Sequence, residues 1–445
     1  MFKKLFLLLV FSFTLISCTS VPKDSAYYKE NIKDFSQIKL QNGIPVILKN
    51  VPTSKITVIQ MIIEGGTPLL STDKSGLENV TLELMLHGCD LYSYEEIKKL
   101  EYEISYSLTM SSSKDYSVVR LKCIDKDFDT VFSLFADSVL NPLMQKEDFE
   151  QIMNEKKESV QQVLSNPSSL LGREVHKIAY KNHNYAALVS VTEESINSIS
   201  YKDVIECYNK ILNSNRIKFV VVGNFNTDRT EILKNRLDEY FGNIKTEDFN
   251  VPIINKVSVK NEVVNITSEQ AGDVGYLIGF FNCPNRYDLD YVPYAIATMY
   301  LDDILFSYVR ENKGAVYSIG SGILGGKEML GAISAFKVSD KENIIKLINE
   351  SIEMFPNQKE IETKLDQYKN KYITTLFSSS QNITGVASNI VISLEYANNP
   401  TKYLERTKEV QNVTAKQVLE AYKKYLSREN DKNPITWVFC KKDKN

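Results

Sequence analysis

The 445-residue chain reads as an α+β protein made of two homologous domains, each a mostly antiparallel sheet with helices packed on one face, the pair forming a clamshell. Three features carry this expectation. Short apolar strands and amphipathic helical stretches follow one another in the same order in both halves. One segment repeats without a gap: Ile199 to Leu212 lines up with Val413 to Leu426, with six of fourteen positions identical. Past the N-terminus no apolar run approaches the ~18 residues of a membrane span, and 43% hydrophobic with 24% charged residues suits a packed interior.

The elements of the first half follow in order. Ile38-Lys39-Leu40 and Ile44 to Leu48 flank Asn42-Gly43, a hairpin signal, because glycine reaches the positive φ that a tight turn needs. Thr57 to Ile63 is a third strand, ended by Gly65-Gly66. Ser75 to Leu86 has helical apolar spacing at Leu77, Val80, Leu82, Leu84 and Met85. Ile104 to Leu108 and Ser117 to Cys123 read as strands. Phe128 to Leu140 and Glu147 to Leu164 read as helices, and Ile217 to Val222 as a strand closed by Gly223.

The second half repeats the order. Tyr276 to Phe281 is a strand and Asp290 to Val309 a helix. Tyr317 to Ile323 and Gly331 to Phe336 are strands, followed by helices Asn343 to Met354 and Glu360 to Leu376. In the repeated segment Ser200 and Thr414 stand as N-caps, and a strand follows each copy, Ile217 to Val222 in one half and Ile435 to Phe439 in the other.

Residues 1–17 combine Lys3 and Lys4 with an apolar stretch from Leu5 to Ile16, the make-up of a secretory leader. Leu15-Ile16-Ser17-Cys18 resembles the bacterial lipobox, which implies cleavage before Cys18 and a lipid on its sulfur. The expected divisions are a signal peptide (1–17), a lipidated tether (18–36), a first domain (37–244), a linker crossed by Pro252 (245–259) and a second domain (260–445). The address is the cell envelope, lipid-anchored on the periplasmic face. Thr19, where an aspartate often retains lipoproteins at the inner membrane, hints at the outer one.

A formal charge of −3 gives no basic field for nucleic acid. Five cysteines remain beyond Cys18, an odd number with none in C-x-x-C spacing, so buried small side chains are expected ahead of a disulfide framework. The three histidines, His87, His176 and His183, include no pair about four residues apart, the spacing that puts two imidazoles on one helical face.

Several segments, in collinear order over about 38–440, resemble the insulinase/pitrilysin-like zinc metallopeptidases, closest to the mitochondrial-processing-peptidase-like branch. They are Leu40-Gln-Asn-Gly-Ile-Pro-Val-Ile-Leu48, Glu64-Gly-Gly66 with Ser75-Gly-Leu77, Asp115-Tyr-Ser-Val118 with Ala136-Asp-Ser-Val-Leu-Asn-Pro142, Tyr180-Lys-Asn-His-Asn-Tyr185 with Thr192-Glu-Glu-Ser-Ile196, and Val309-Arg-Glu-Asn-Lys-Gly-Ala-Val-Tyr-Ser-Ile319.

The resemblance implies an inverted zinc motif, H-x-x-E-H, on the helix after Ser75-Gly-Leu77. Its two imidazoles hold the metal, its glutamate activates the bound water, and a distant glutamate completes the ligands. Here the motif positions are Asn79, Leu82 and Glu83, and the distant position falls on Ser159, beside Glu158. Leu82 cannot accept a proton. No metal, cofactor or catalytic residue is therefore expected in this chain, and zinc is expected in a partner. His87 reads as a helix C-terminal cation beside Gly88, and His183 as a structural loop residue.

The second-half signature is kept at Arg310 and Tyr317, with Gly314 turning between them. The resemblance gives these two a substrate-binding and oxyanion-stabilising role across a chamber. It also implies that extended peptide lies along an edge strand at about Ser105 to Ser111. The reading that follows is a non-catalytic subunit that pairs with an H-x-x-E-H chain and lends it Arg310 and Tyr317. The alternatives are a stand-alone lipoprotein that binds peptides or an envelope protein, and an active zinc peptidase with the unorthodox ligands Asn79, Glu83 and Glu158.

Overall fold

The structure is a computed structural model that describes residues 31–271, 274–429 and 432–442. The leader at 1–17, Cys18 and all but the last six residues of the expected tether lie outside the described residues.

The first sheet has six strands: β1 (Phe35–Lys39), β2 (Pro45–Asn50), β3 (Ile56–Glu64), β4 (Tyr106–Ser112), β5 (Tyr116–Ile124) and β6 (Ile217–Gly223). Their order is β1-β2-β6-β3-β5-β4. The second sheet has five: β7 (Glu262–Thr267), β8 (Gly275–Asn282), β9 (Ser318–Gly325), β10 (Met329–Val338) and β11 (Thr436–Lys441), in the order β7-β11-β8-β10-β9. Without β1 the two orders follow one plan. In each sheet a single parallel pair, β2 with β6 and β7 with β11, interrupts an otherwise antiparallel ladder. The expected duplication and the mostly antiparallel sheets are both present.

The hairpin at Asn42-Gly43 forms, with Gly43 at φ 91°. Pairing begins at Phe35, opposite Lys49, so β1 starts three residues before the expected Ile38 and takes in the end of the expected tether.

The first half carries α1 (Leu77–Met85), α2 (Tyr94–Glu103), α3 (Phe128–Leu140), α4 (Lys146–Ser165), α5 (Pro167–Ala179), α6 (Tyr201–Ile211) and α7 (Thr227–Phe241). The second carries α8 (Tyr291–Leu305), α9 (Lys341–Glu353), α10 (Gln358–Ser379), α11 (Ile383–Ala397), α12 (Arg406–Asn412) and α13 (Ala415–Ala421). The repeated segment forms α6 in one half and α13 with a wider π turn (Tyr422–Leu426) in the other. Both copies open with a capping box, Ser200 with Asp203 and Thr414 with Gln417. The shared tyrosine does the same work twice. Tyr208 donates from its hydroxyl to the carbonyls of Val139 and Leu140 at the end of α3, and Tyr422 to that of Ile352 near the end of α9.

Each sheet packs one face against helices of its own half. Ile59, Met61, Val119 and Phe219 meet Val80, Phe132, Phe135 and Val204 in the first core. Leu277, Ile333 and Trp437 meet Ile296, Leu301, Ile348 and Val418 in the second. Each fully buried apolar side chain contributes about 1.5–3 kcal/mol.

The opposite faces are covered by exchange. Helix α11, from the second half, lays Ala387, Ile390, Val391 and Leu394 on Ile47, Val58, Ile62, Val118, Val220 and Val222 of the first sheet. Helix α5, from the first half, lays Leu171, Val175 and Ala179 on Phe280, Leu330, Val438 and Cys440 of the second. The clamshell's halves thus meet along two packed seams. The physical reason was visible in β3 and β6, whose apolar runs are nearly continuous and leave neither face for water.

One seam also buries charge. Lys218 on β6 reaches Glu64 at 2.6 Å and Glu395 of α11 at 3.0 Å. Burial pushes the Glu395 carboxyl up to about 7; the Lys218 cation opposes that shift, and the nearby Glu64 charge adds to it.

The five described cysteines are free, and all but Cys283 are buried; burial raises their thiols above the ordinary value. The helix expected over Asp290 to Val309 stays α-helical only to Leu305 and closes in a π turn, Phe306–Asn312.

Candidate functional site

The Ser75-Gly-Leu77 start of α1 is a docking device. Ser75 donates from Oγ to the Thr72 carbonyl at 2.7 Å and accepts from the Leu188 amide at 3.0 Å. Gly76 has φ 80°, and a Cβ there would stand 2.5 Å from the Val191 backbone nitrogen. Only glycine fits both the left-handed conformation and that approach. The helix that follows is thereby aimed past the loop at 188–191.

Its two turns carry the three positions that the resemblance aligns with a metal motif. Leu82 is fully buried in the first core. Asn79 is half-buried, and its amide donates to the Met110 sulfur of β4 at 3.7 Å. Glu83, on the same helical face as Asn79, forms an ion pair with Lys156 of α4. Ser159 lies one turn past Lys156, exposed, its hydroxyl donating back to the Glu155 carbonyl at 3.1 Å. Glu158 is exposed as well.

These residues do not fit zinc. A metal here needs imidazole or carboxylate donors converging from α1 and α4. What converges is one amide, one leucine and one carboxylate already held by an ammonium. Among the described residues no group of three or more His, Cys, Asp or Glu stands in an arrangement that holds a metal ion.

Sequence reasoning passed over Glu78, which precedes Asn79. It is buried, bonded to Ser117 and paired with Arg216 at 3.2 Å. Arg216 also donates to the carbonyls of Glu64 and Lys210. The pair ties α1 to the sheet, and only the fold brings residues 78 and 216 together.

The histidines go to three different places. His87 stacks on Tyr94, with centroids 4.2 Å apart, and lies 3.9 Å from an Asp148 oxygen. His183 accepts from the Tyr185 amide at 3.0 Å and contacts the Asn255 carbonyl at 2.7 Å, which pins the segment expected as a linker. His176 contacts Lys114 at 2.9 Å.

Arg310 and Tyr317 sit on the second half. Arg310 lies in the π turn, exposed, its guanidinium 4.7 Å from the centroid of the Phe306 ring, with no ion pair among the described residues. Gly314 takes φ 58°, and its amide donates to the Arg310 carbonyl at 3.1 Å, reversing the chain. Tyr317 then enters the sheet beside Phe336 and keeps 64% of its surface exposed, with the Lys337 ammonium 4.5 Å from its ring centroid. Two hydrogen-bond donors are therefore presented to solvent from a tightly wound loop. No hydrogen bond, ion pair or ring contact among the described residues joins either to Asn79, Leu82 or Glu83. The strand expected to bind peptide is β4, which stands at the edge of the first sheet.

Comparison with known proteins gives the following. Residues 45–193 match the family described as Insulinase (Peptidase family M16), and residues 198–372 match the one described as Peptidase M16 inactive domain. The chain is 22% identical over 360 residues to an uncharacterized zinc protease, YmxG, of Bacillus subtilis, covering 77% of this chain and 85% of that protein. It is 24% identical over 227 residues to the human mitochondrial-processing peptidase subunit beta, covering 46% of this chain and 44% of that one. A crystal structure of a peptidase M16 inactive domain from Pseudomonas fluorescens superposes with a TM-score of 0.79 at 19% identity, over 92% of this chain and 98% of the other.

Proposed function

Because the chain belongs to the insulinase (M16) peptidase family and carries both of its domains, we propose that it is a non-catalytic subunit that serves the active site of a zinc-bearing partner of the same fold. The observation that carries this reading is the fate of the metal motif: Leu82 is sealed in the core and Glu83 is neutralised by Lys156. The Leu82 side chain has no atom that can take a proton from water.

Arg310 and Tyr317 supply the positive half of the argument. An arginine and a phenol held on a wound turn, open to solvent, the arginine without an ion pair among the described residues, suit donation to a carbonyl oxygen on another molecule. In this reading they reach a substrate bound at the partner's zinc, and extended peptide pairs with the free edge of β4. A relative that is itself named a peptidase subunit is in keeping with such an assembly.

The test is reconstitution. The chain is co-purified with an H-x-x-E-H chain from the same cell, and peptide cleavage is measured for each alone and for the mixture, with and without chelator. The mixture alone should cut. Arg310→Ala and Tyr317→Phe should lower its rate by about 10- to 1,000-fold while leaving folding stability within about 0.5 kcal/mol. Cleavage by the purified chain alone, or an unchanged rate with both variants, would sink the reading. We also propose that Cys18 bears the lipid that holds the assembly at the cell envelope, on the strength of Leu15 to Cys18 alone; the mass of the mature N-terminal peptide tests it.

A further inference from the structure

A second cluster lies at the seam between the halves, lined by none of the motif positions. An open cavity of about 310 Å³ is bordered by the β4–β5 turn, helices α4 and α5, and the end of β9. Lys114, Arg173, His176 and Tyr180 line it.

These side chains have unspent hydrogen-bond donors. Arg173 is 6% exposed; its Nη2 donates to the Val191 carbonyl at 3.3 Å, while its buried Nη1 has no partner. The Tyr180 hydroxyl, on a residue 1% exposed, has none either. Lys114 makes one contact through its ammonium, to His176 Nδ1 at 2.9 Å, and sits 4.6 Å from the Tyr180 ring centroid. With the ammonium donating, Nδ1 is the acceptor, so the imidazole proton belongs on Nε2, which is buried beside the backbone of residues 185–187. Neither Lys114 nor Arg173 forms an ion pair among the described residues. The nearby carboxylates are otherwise engaged. Asp115 accepts from the Tyr185 hydroxyl and the Lys327 amide, and Glu328 accepts from Asn285.

Backbone contacts position the lining residues. The Lys114 carbonyl is held by the Thr67 amide at 2.8 Å, which fixes the turn. Gly325, at φ 112°, lets the chain pass so close to Tyr180 that a Cβ there would stand 2.8 Å from its hydroxyl.

Two cations without an ion pair, the buried Arg173 Nη1 and the unpartnered Tyr180 hydroxyl, beside carboxylates already engaged, call for a ligand that accepts hydrogen bonds and carries negative charge. We propose that this cavity binds a small oxyanion, a phosphate or a carboxylate, between Lys114, Arg173 and Tyr180. Bound there, it bridges the β4–β5 turn to α5 and so braces the seam. Burial lowers the Lys114 ammonium to about 8, against the pull of Asp115, so the amine is still largely charged at neutral pH and gains from an added anion.

The experiment uses the full chain in a chloride-only buffer. Inorganic phosphate and a short N-acetylated peptide with a free C-terminal carboxylate are titrated separately, each against a C-terminally amidated peptide, by calorimetry and by thermal melting. One of the two oxyanions should bind saturably with one site and raise the melting temperature, and the arm that does so identifies the source. Lys114→Gln and Tyr180→Phe, checked for native circular dichroism, should weaken that binding by about 10-fold or more each. The His176 ring nitrogen resonances should shift on titration in the unaltered protein, a readout that does not depend on any variant folding. No saturable binding of either oxyanion, equal binding of the amidated peptide, or unmoved His176 resonances would overturn the proposal.

Discussion

Glu83 of α1 is ion-paired with Lys156 of α4, so an ammonium bridges the two helices at the motif position where a metal cation is expected in an active relative. Both side chains keep about a quarter of their surface exposed, at 24% and 22%. A lysine in this place repels zinc and satisfies the carboxylate at once.

The first expectation follows from that pair. The purified chain, equilibrated with zinc and desalted, should retain no stoichiometric metal, and a chelator should leave its melting temperature unchanged. Lys156→Ala should cost at most about 1 kcal/mol, because water reaches and screens the pair. A fall in melting temperature on adding chelator would show that a structural metal had been missed.

The exchanged helices make the two halves one folding unit. Leu171→Ala in α5 and Ile390→Ala in α11 each empty a fully buried site on the other half's sheet. Each should cost about 2–5 kcal/mol. Both should lower a single, shared unfolding transition in calorimetry. Two transitions, with only one displaced, would show that the seams do not couple the halves.

Glu395 predicts a dependence on pH. Its carboxyl is raised from 4.5 to about 7 in the folded chain. Between those values the folded state holds a proton that the unfolded state has released. The stability from this group is therefore complete below about pH 4.5 and is lost as pH rises through about 7. Lys218, raised above its ordinary 10.5, adds nothing in that window. The difference in unfolding free energy between the natural chain and Glu395→Gln should move against the natural chain by up to ~1.4 kcal/mol per pH unit from about pH 5 and level off above about pH 7. A difference that stays flat would remove Glu395 as the titrating group.

Gly76 predicts a steric cost independent of charge. Gly76→Ala should destabilise by about 1–3 kcal/mol, since a left-handed backbone and a 2.5 Å contact with the Val191 nitrogen must both be relieved. Gly172→Ala, where a Cβ meets nothing within 4 Å inside α5, should be neutral or stabilising. Equal melting temperatures for the two variants would contradict this.

Much of this protein was legible in residue order alone. Asn42-Gly43 marked the first hairpin, the repeat at Ile199 and Val413 marked the duplication, and Asn79-Val-Thr-Leu82-Glu83 offered no histidine where the resemblance places the zinc motif. Local pattern suffices for these because turn geometry, helix faces and metal-ligand chemistry are set by residues a few positions apart. The tertiary structure decided the rest. Helices α5 and α11 were not anticipated, and no pattern within one half says that its second sheet face will be covered by a helix from the other. The Glu83–Lys156, Glu78–Arg216 and Lys218–Glu395 pairs, and the donor-lined cavity at Lys114, Arg173 and Tyr180, join residues about 60 to 180 positions apart. Coulomb attraction and desolvation act through space, so only the packed chain determines which charges are answered and which are left waiting for a ligand.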